Sequence, residues 1–139
     1  MTALATCRDT VFAGLPAFEV ALSYGDRVVV ALHGAHVLSW VSGGQERLYL
    51  SPQSVMDGQA AIRGGVPVCF PQFNQRGPLA DRLPKHGFAR NVVWQADAPE
   101  LAADHARLTL RLTDSARIRQ WWPQAFEAQL QIEIGRAHV

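Results

Sequence analysis

Between Ile62 and Asn91 the chain reads IRGGVPVCFPQFNQRGPLADRLPKHGFARN, a stretch that holds Arg63, Arg76, Arg82, Lys85, His86 and Arg90. Guanidinium and ammonium groups make charge-assisted hydrogen bonds, and the planar guanidinium fork matches the oxygens of a phosphate. Among them lie glycines at 64, 65, 77 and 87 and prolines at 67, 71, 78 and 84. Glycine lets backbone bend and come close to a neighbour, and proline fixes φ and stiffens a loop. Cations on a stiff, small-residue frame suit the capture of a compact anion. A long surface loop with solvated arginines has the same composition, and spacing alone does not separate the two readings.

Other chemistry-bearing residues are sparser. His33 and His36 invite a metal reading, but residues three apart on a strand point to opposite faces, so no metal site is expected. Cys7 and Cys69 stand far apart and outside any C-x-x-C pair, which indicates neither a disulfide scaffold nor a zinc knuckle. Cys69 sits in an apolar run and reads as a small buried hydrophobe. Trp40, Trp94, Trp121 and Trp122 read as core or as the wall of a pocket.

The elements that must position these groups are strands. Phe18–Leu22 reads as a first strand closed by Tyr24-Gly25-Asp26, and Arg27–Leu32 as a second that continues through His33–Trp40, with a bulge at Gly34. Arg47–Leu50, Val66–Phe70 and Gly87–Gln95 read as further short strands, and Pro99–Asp104 as a turn. Ala106–Thr113 alternates apolar and polar residues without exception, as Phe126–Ile134 does, so the two form a hairpin-like pair with one buried face each. Asp114 and Ser115 cap a single helical turn between them. These elements predict an all-β sandwich with almost no helix.

Length and composition fit that class. The chain has 139 residues, of which 48% are hydrophobic and 18% charged. That suits one domain with a real core. A net charge of +1 gives no global pull toward nucleic acid or an anionic membrane. The longest apolar run, Val28–Leu32, is far short of a bilayer span, and no signal-peptide pattern opens the chain, so the expected location is the cytoplasm.

The segments Ile62–Pro71 and Leu83–Asn91, with Gly34–Trp40 before them and Trp122–Glu127 after them, resemble the hexose-6-phosphate mutarotases in the same order. These are the glucose-6-phosphate 1-epimerase branch of the aldose 1-epimerase family. The resemblance runs from about residue 18 to about 132. It implies a β-sandwich of the galactose-mutarotase type and interconversion of the α and β anomers of a hexose 6-phosphate, without metal or organic cofactor. It implies a small-molecule substrate, no nucleic-acid or membrane partner, and a monomer at full length. By the same resemblance Arg63, Lys85 and Arg90 surround the substrate and its phosphate. Lys85 stands where some relatives carry glutamine; His86 belongs to the motif and reads either as a residue lining the pocket or as a structural histidine that hydrogen-bonds the loop. The family's catalytic histidine and glutamate fall beyond residue 139, so no catalytic residue is assigned here.

The resemblance therefore makes residues 1–139 a single, partial mutarotase-like sandwich that is inactive by itself. Glu133–Val139, EIGRAHV, also resembles a translated sequencing adapter, which marks 133–139 as a possible non-native tail. A sandwich cut at that point leaves the face of Phe126, Ala128, Leu130, Ile132 and Ile134 with no second sheet fully covering it, and the chain prone to aggregation or partly molten. The alternative reading is a β-sandwich that binds a carbohydrate or sugar phosphate without catalysis.

Overall fold

Alternation of apolar and polar residues builds two antiparallel sheets that share one core. The computed structural model describes residues 3–77 and 79–135. β1 (Thr6–Phe12) and β2 (Leu15–Ala21) form a hairpin through Ala13 and Gly14. Both turn residues have positive φ, the backbone of a two-residue turn whose twist matches the flanking strands. β3 (Arg27–Ala31), β4 (His36–Ser42) and β5 (Gln45–Glu46) follow, and the first sheet has the order β1-β2-β3-β4-β5. In the second sheet β6 (Gln95–Ala96) and β7 (Glu100–Leu101) pair with one edge of β8 (His105–Thr113), and β9 (Glu127–Gly135) pairs with the other along its whole length. α1 (Ala116–Arg119) is a single turn between β8 and β9, capped by Ser115 Oγ, which accepts from the Ile118 amide at 3.2 Å.

Ala106, Leu108, Leu110 and Leu112 of β8 are buried with Val20, Val28 and Val30 of the first sheet in one core, which makes the sheets a sandwich. Each Leu or Ile so buried contributes about 1.5–3 kcal/mol. The outward residues of β8 form ion pairs, Arg107 with Glu133 and Glu100, and Arg111 with Asp97 and Glu127. A smaller core of Leu15, Ala31, Leu38 and Ile62 joins the first sheet to the loop before Arg63.

Several local expectations are corrected. β1 precedes the expected first strand, because Cys7, Val11 and Phe12 alternate too loosely with polar neighbours to show a clear period. Arg47–Leu50 holds only an isolated bridge at Leu50, and Val66–Phe70 only bridges at its two ends. Pro67 lacks the amide that a ladder needs there. Gly87–Gln95 contains a 3-10 turn, Ala89–Asn91, which turns Trp94 into the core. The expected turn at Pro99–Asp104 contains β7. Cys69 is half-buried.

Along β9, Ala128, Leu130 and Ile132 are half-buried against the core and Ile134 is buried, so that face is partly covered. Within the suggested tail, Glu133–Gly135 belongs to β9, and 136–139 lie outside the described residues. No helix among the described residues is long and apolar enough to cross a membrane.

Candidate functional site

Arg63 arrives at the surface on a loop that is fixed residue by residue. Asp57 Oδ1 accepts from the amides of Gln59 and Ala60 at 2.9 and 2.8 Å and turns the chain. Those two hydrogen bonds, Ala60 first, hold the Asp57 carboxyl below its ordinary pKa. Ile62 is buried in the smaller core. The Arg63 amide donates to Ser54 Oγ at 2.9 Å, and its carbonyl accepts from the Ser51 amide at 2.9 Å. The backbone is therefore pinned on both sides while the guanidinium stays exposed.

Lys85, His86 and Arg90 arrive from the other segment. Gly87 lies in a parallel bridge with Phe70 at φ 83, and a side chain there would strike the Phe70 carbonyl. The Phe70 carbonyl also accepts from the amides of Phe88 and Ala89. Trp94 Nε1 donates to the Ala89 carbonyl at 2.9 Å inside the core, which holds the 3-10 turn that carries Arg90. Phe70, Phe88, Trp121, Trp122 and Phe126 form an aromatic cluster behind this segment, with ring centroids 5.3–5.9 Å apart. That contact places Trp121 and Trp122 in the packing, as burial does Trp94; Trp40 is 42% exposed, and no tryptophan is among the residues that line the site.

The two segments meet. Arg63, Lys85, His86 and Arg90 line one open cleft of about 380 Å³, floored by Ala60, Ala61 and Ile62 with Val55 at its side. None of the lining residues is a carboxylate. Arg8, Arg107, Arg111 and Arg119 each pair with Asp or Glu, but among the described residues Arg63, Lys85 and Arg90 have no ion-pair partner. Arg90 Nη2 donates to the Lys85 carbonyl at 2.9 Å, while its Nε is buried and meets no acceptor among the described residues. A buried donor without an acceptor is costly. Arg76 and Arg82 do not line this cleft; Arg76 lies beside a separate hollow with Gln72, Leu83 and Trp122.

The neutral His86 ring is held in one tautomer. Its Nδ1 accepts from the Asn74 amide at 2.8 Å. In the neutral ring Nε2 therefore carries the hydrogen. Burial first, then Arg90 and Lys85, push its pKa below the ordinary histidine value. The Phe73 ring lies against it, centroids 4.8 Å apart.

The expectation that His33 and His36 diverge is also corrected. Both are buried, and both reach the loop that bears Arg63: His33 Nε2 lies 3.2 Å from the Ala60 carbonyl and His36 Nε2 lies 2.5 Å from that of Gly64. Gly34 and Ala35 between them have φ of 74 and 47, so the strand period does not apply. Gly34 was the only visible sign of this. Among the described residues no group of three or more His, Cys, Asp or Glu could hold a metal.

The aldose 1-epimerase family matches residues 20–138. The chain belongs to the aldose 1-epimerase family. An Escherichia coli (strain K12) member named "Putative glucose-6-phosphate 1-epimerase" is 44% identical over 108 residues, covering 76% of this chain and 36% of its own length. A Cenchrus ciliaris member of the same name is 37% identical over 112 residues, covering 76% and 33%. A Salmonella typhimurium crystal structure described as a "putative mutarotase" superposes with a TM-score of 0.81 at 33% identity, covering 95% of this chain and 43% of that one. The chain thus spans about a third of the length of the curated epimerase relatives it matches. Its sandwich is the mutarotase type of all-β fold.

Proposed function

We propose that this chain provides the phosphate-holding wall of a mutarotase that interconverts the α and β anomers of a hexose 6-phosphate. The observation that carries the reading is the single cleft lined by Arg63, Lys85, His86 and Arg90, three of them cations without ion-pair partners among the described residues. Arg63 and Arg90 offer guanidinium forks to phosphate oxygens, and Lys85 adds a point charge. His86 offers a neutral Nε2–H donor to a sugar hydroxyl or phosphate oxygen.

Mutarotation needs a base to take the proton from the anomeric hydroxyl and an acid to protonate the ring oxygen. The ring opens, C1 turns, and the ring closes on its other face. Positioned acid and base groups contribute about 10²–10⁴-fold. The cleft residues bind and orient; the acid and base are expected elsewhere in the whole protein, as the family resemblance implies. Because no carboxylate lines the cleft, a second reading is sugar-phosphate binding without catalysis.

Anomer exchange of glucose 6-phosphate, followed by NMR on the whole protein, decides between them. Exchange well above the buffer-catalysed rate supports the mutarotase. Saturable binding with exchange at the buffer rate supports the binder. Equal treatment of glucose and glucose 6-phosphate overturns the phosphate assignment.

A further inference from the structure

The His33–His36 turn is packed against both cation-bearing segments at once. On one side, the carbonyls of Ala60 and Gly64, in the loop that carries Arg63, lie on the Nε2 atoms of His33 and His36. A carbonyl only accepts, so each Nε2 carries the hydrogen and each ring is a donor to the loop. The Nδ1 atom of each ring is buried with no partner among the described residues. The Nε2 hydrogen bonds are therefore what offsets the burial of two polar rings. Gly65 closes the approach: a Cβ there would lie 3.0 Å from the His36 ring. On the other side, Gly34 packs on the backbone of Arg90, where a Cβ would sit 2.5 Å from the carbonyl oxygen. The Gly34 amide donates to the Val92 carbonyl at 2.7 Å, and His33 bridges to Val93.

We infer that His33 and His36 are positioning residues, whose Nε2–H donors set the loop of Arg63 at the depth and spacing from Arg90 at which both guanidinium groups reach one phosphate. The inference rests on the proposed reading of the cleft. Neither ring is among the cleft-lining residues, and both act through Arg63.

The test is a double-mutant cycle on the whole protein, with inorganic phosphate and glucose 6-phosphate as probes and glucose as the reference. His36→Leu keeps an apolar filler and deletes the donor; His36→Gln restores an N–H donor at about the same reach. His36→Leu is expected to weaken both phosphate-bearing probes about fivefold or more, glucose little, and His36→Gln to recover most of the loss. In an Arg63→Ala background, His36→Leu should weaken the probes no further. Should His36→Leu unfold, His33→Leu and His33→Gln, at the longer 3.2 Å bond, carry the same comparison. If the leucine variants leave phosphate affinity unchanged while Arg63→Ala abolishes it, the positioning role is wrong and the cleft reading stands. The role is equally overturned if the losses are additive, or fall alike on glucose. If Arg63→Ala itself leaves phosphate affinity unchanged, the cleft reading fails, and the positioning role with it.

Discussion

The amide of Asn74 donates to Nδ1 of His86 at 2.8 Å, and the amide of His86 donates back to the carbonyl of Asn74 at 2.9 Å. Both residues have positive φ, 57 and 67. The exchange thus closes two strained turns against each other. It leaves the imidazole one free donor, Nε2–H, beside Arg90 and Lys85. The expected outcome is that ¹⁵N NMR at pH 7.5 shows a neutral His86 ring with hydrogen on Nε2. A ring protonated on both nitrogens at that pH would contradict the geometry.

Histidine titration should show in stability. His36 and His86 both have pKa values lowered from 6.5, in each case first by burial. The unfolded chain takes up protons near pH 6.5 while the folded chain does not, so the unfolded state binds more protons and stability falls as pH drops through that value. The fall levels off below the lowered folded pKa values. Melting temperature measured from pH 7.5 to 5.5 should decline, and His36→Gln should flatten the decline. A melting temperature that rises over the same interval would contradict this.

The two arginines should discriminate phosphorylated from free sugar. In the whole protein, Arg63→Ala and Arg90→Ala are each expected to cost about 1.5–3 kcal/mol of glucose 6-phosphate binding, the worth of a charge-assisted hydrogen bond, and little of glucose binding. Calorimetric titration of both sugars checks this. Equal losses would make the arginines holders of the fold or of the sugar ring.

Gly34→Ala should be worse than Gly14→Ala. Both glycines have positive φ, 74 and 87. Both substitutions therefore incur backbone strain of about 1–3 kcal/mol. Only at Gly34 would the new Cβ meet a backbone oxygen, that of Arg90 at 2.5 Å; at Gly14 nothing lies within 4 Å. Chemical denaturation should show the larger loss at Gly34, along with weaker phosphate binding.

Trp94→Phe keeps an aromatic ring in the core and removes the Nε1 donor from the Ala89 carbonyl. A buried carbonyl left without its donor costs about 1–3 kcal/mol. Because that carbonyl begins the turn bearing Arg90, affinity for glucose 6-phosphate should fall in step with melting temperature. Unchanged affinity in a destabilised variant would show that Arg90 is held without Trp94.

Alternation by itself determined the two longest strands: Ala106–Thr113 and Phe126–Ile134 repeat with period two, and β8 and β9 occupy almost those limits. The clustering of Arg63, Lys85, His86 and Arg90 in a glycine- and proline-rich stretch likewise pointed to the residues that line one cleft. The family motifs single these four out from Arg76 and Arg82, but what physically separates them was not legible there, because all six share the same local composition. Tertiary structure decided it: buried Ile62 and the pair Ser51 and Ser54 fix one segment, and Phe70 and Trp94 fix the other. The histidines show the limit most clearly. Period-two reasoning sends His33 and His36 to opposite faces. Instead Gly34 and Ala35 turn left-handed between them, and both rings reach a loop far along the chain, at Ala60 and Gly64. Such a hydrogen bond depends on which distant carbonyl is folded against the ring, and no local pattern of residues encodes that distance.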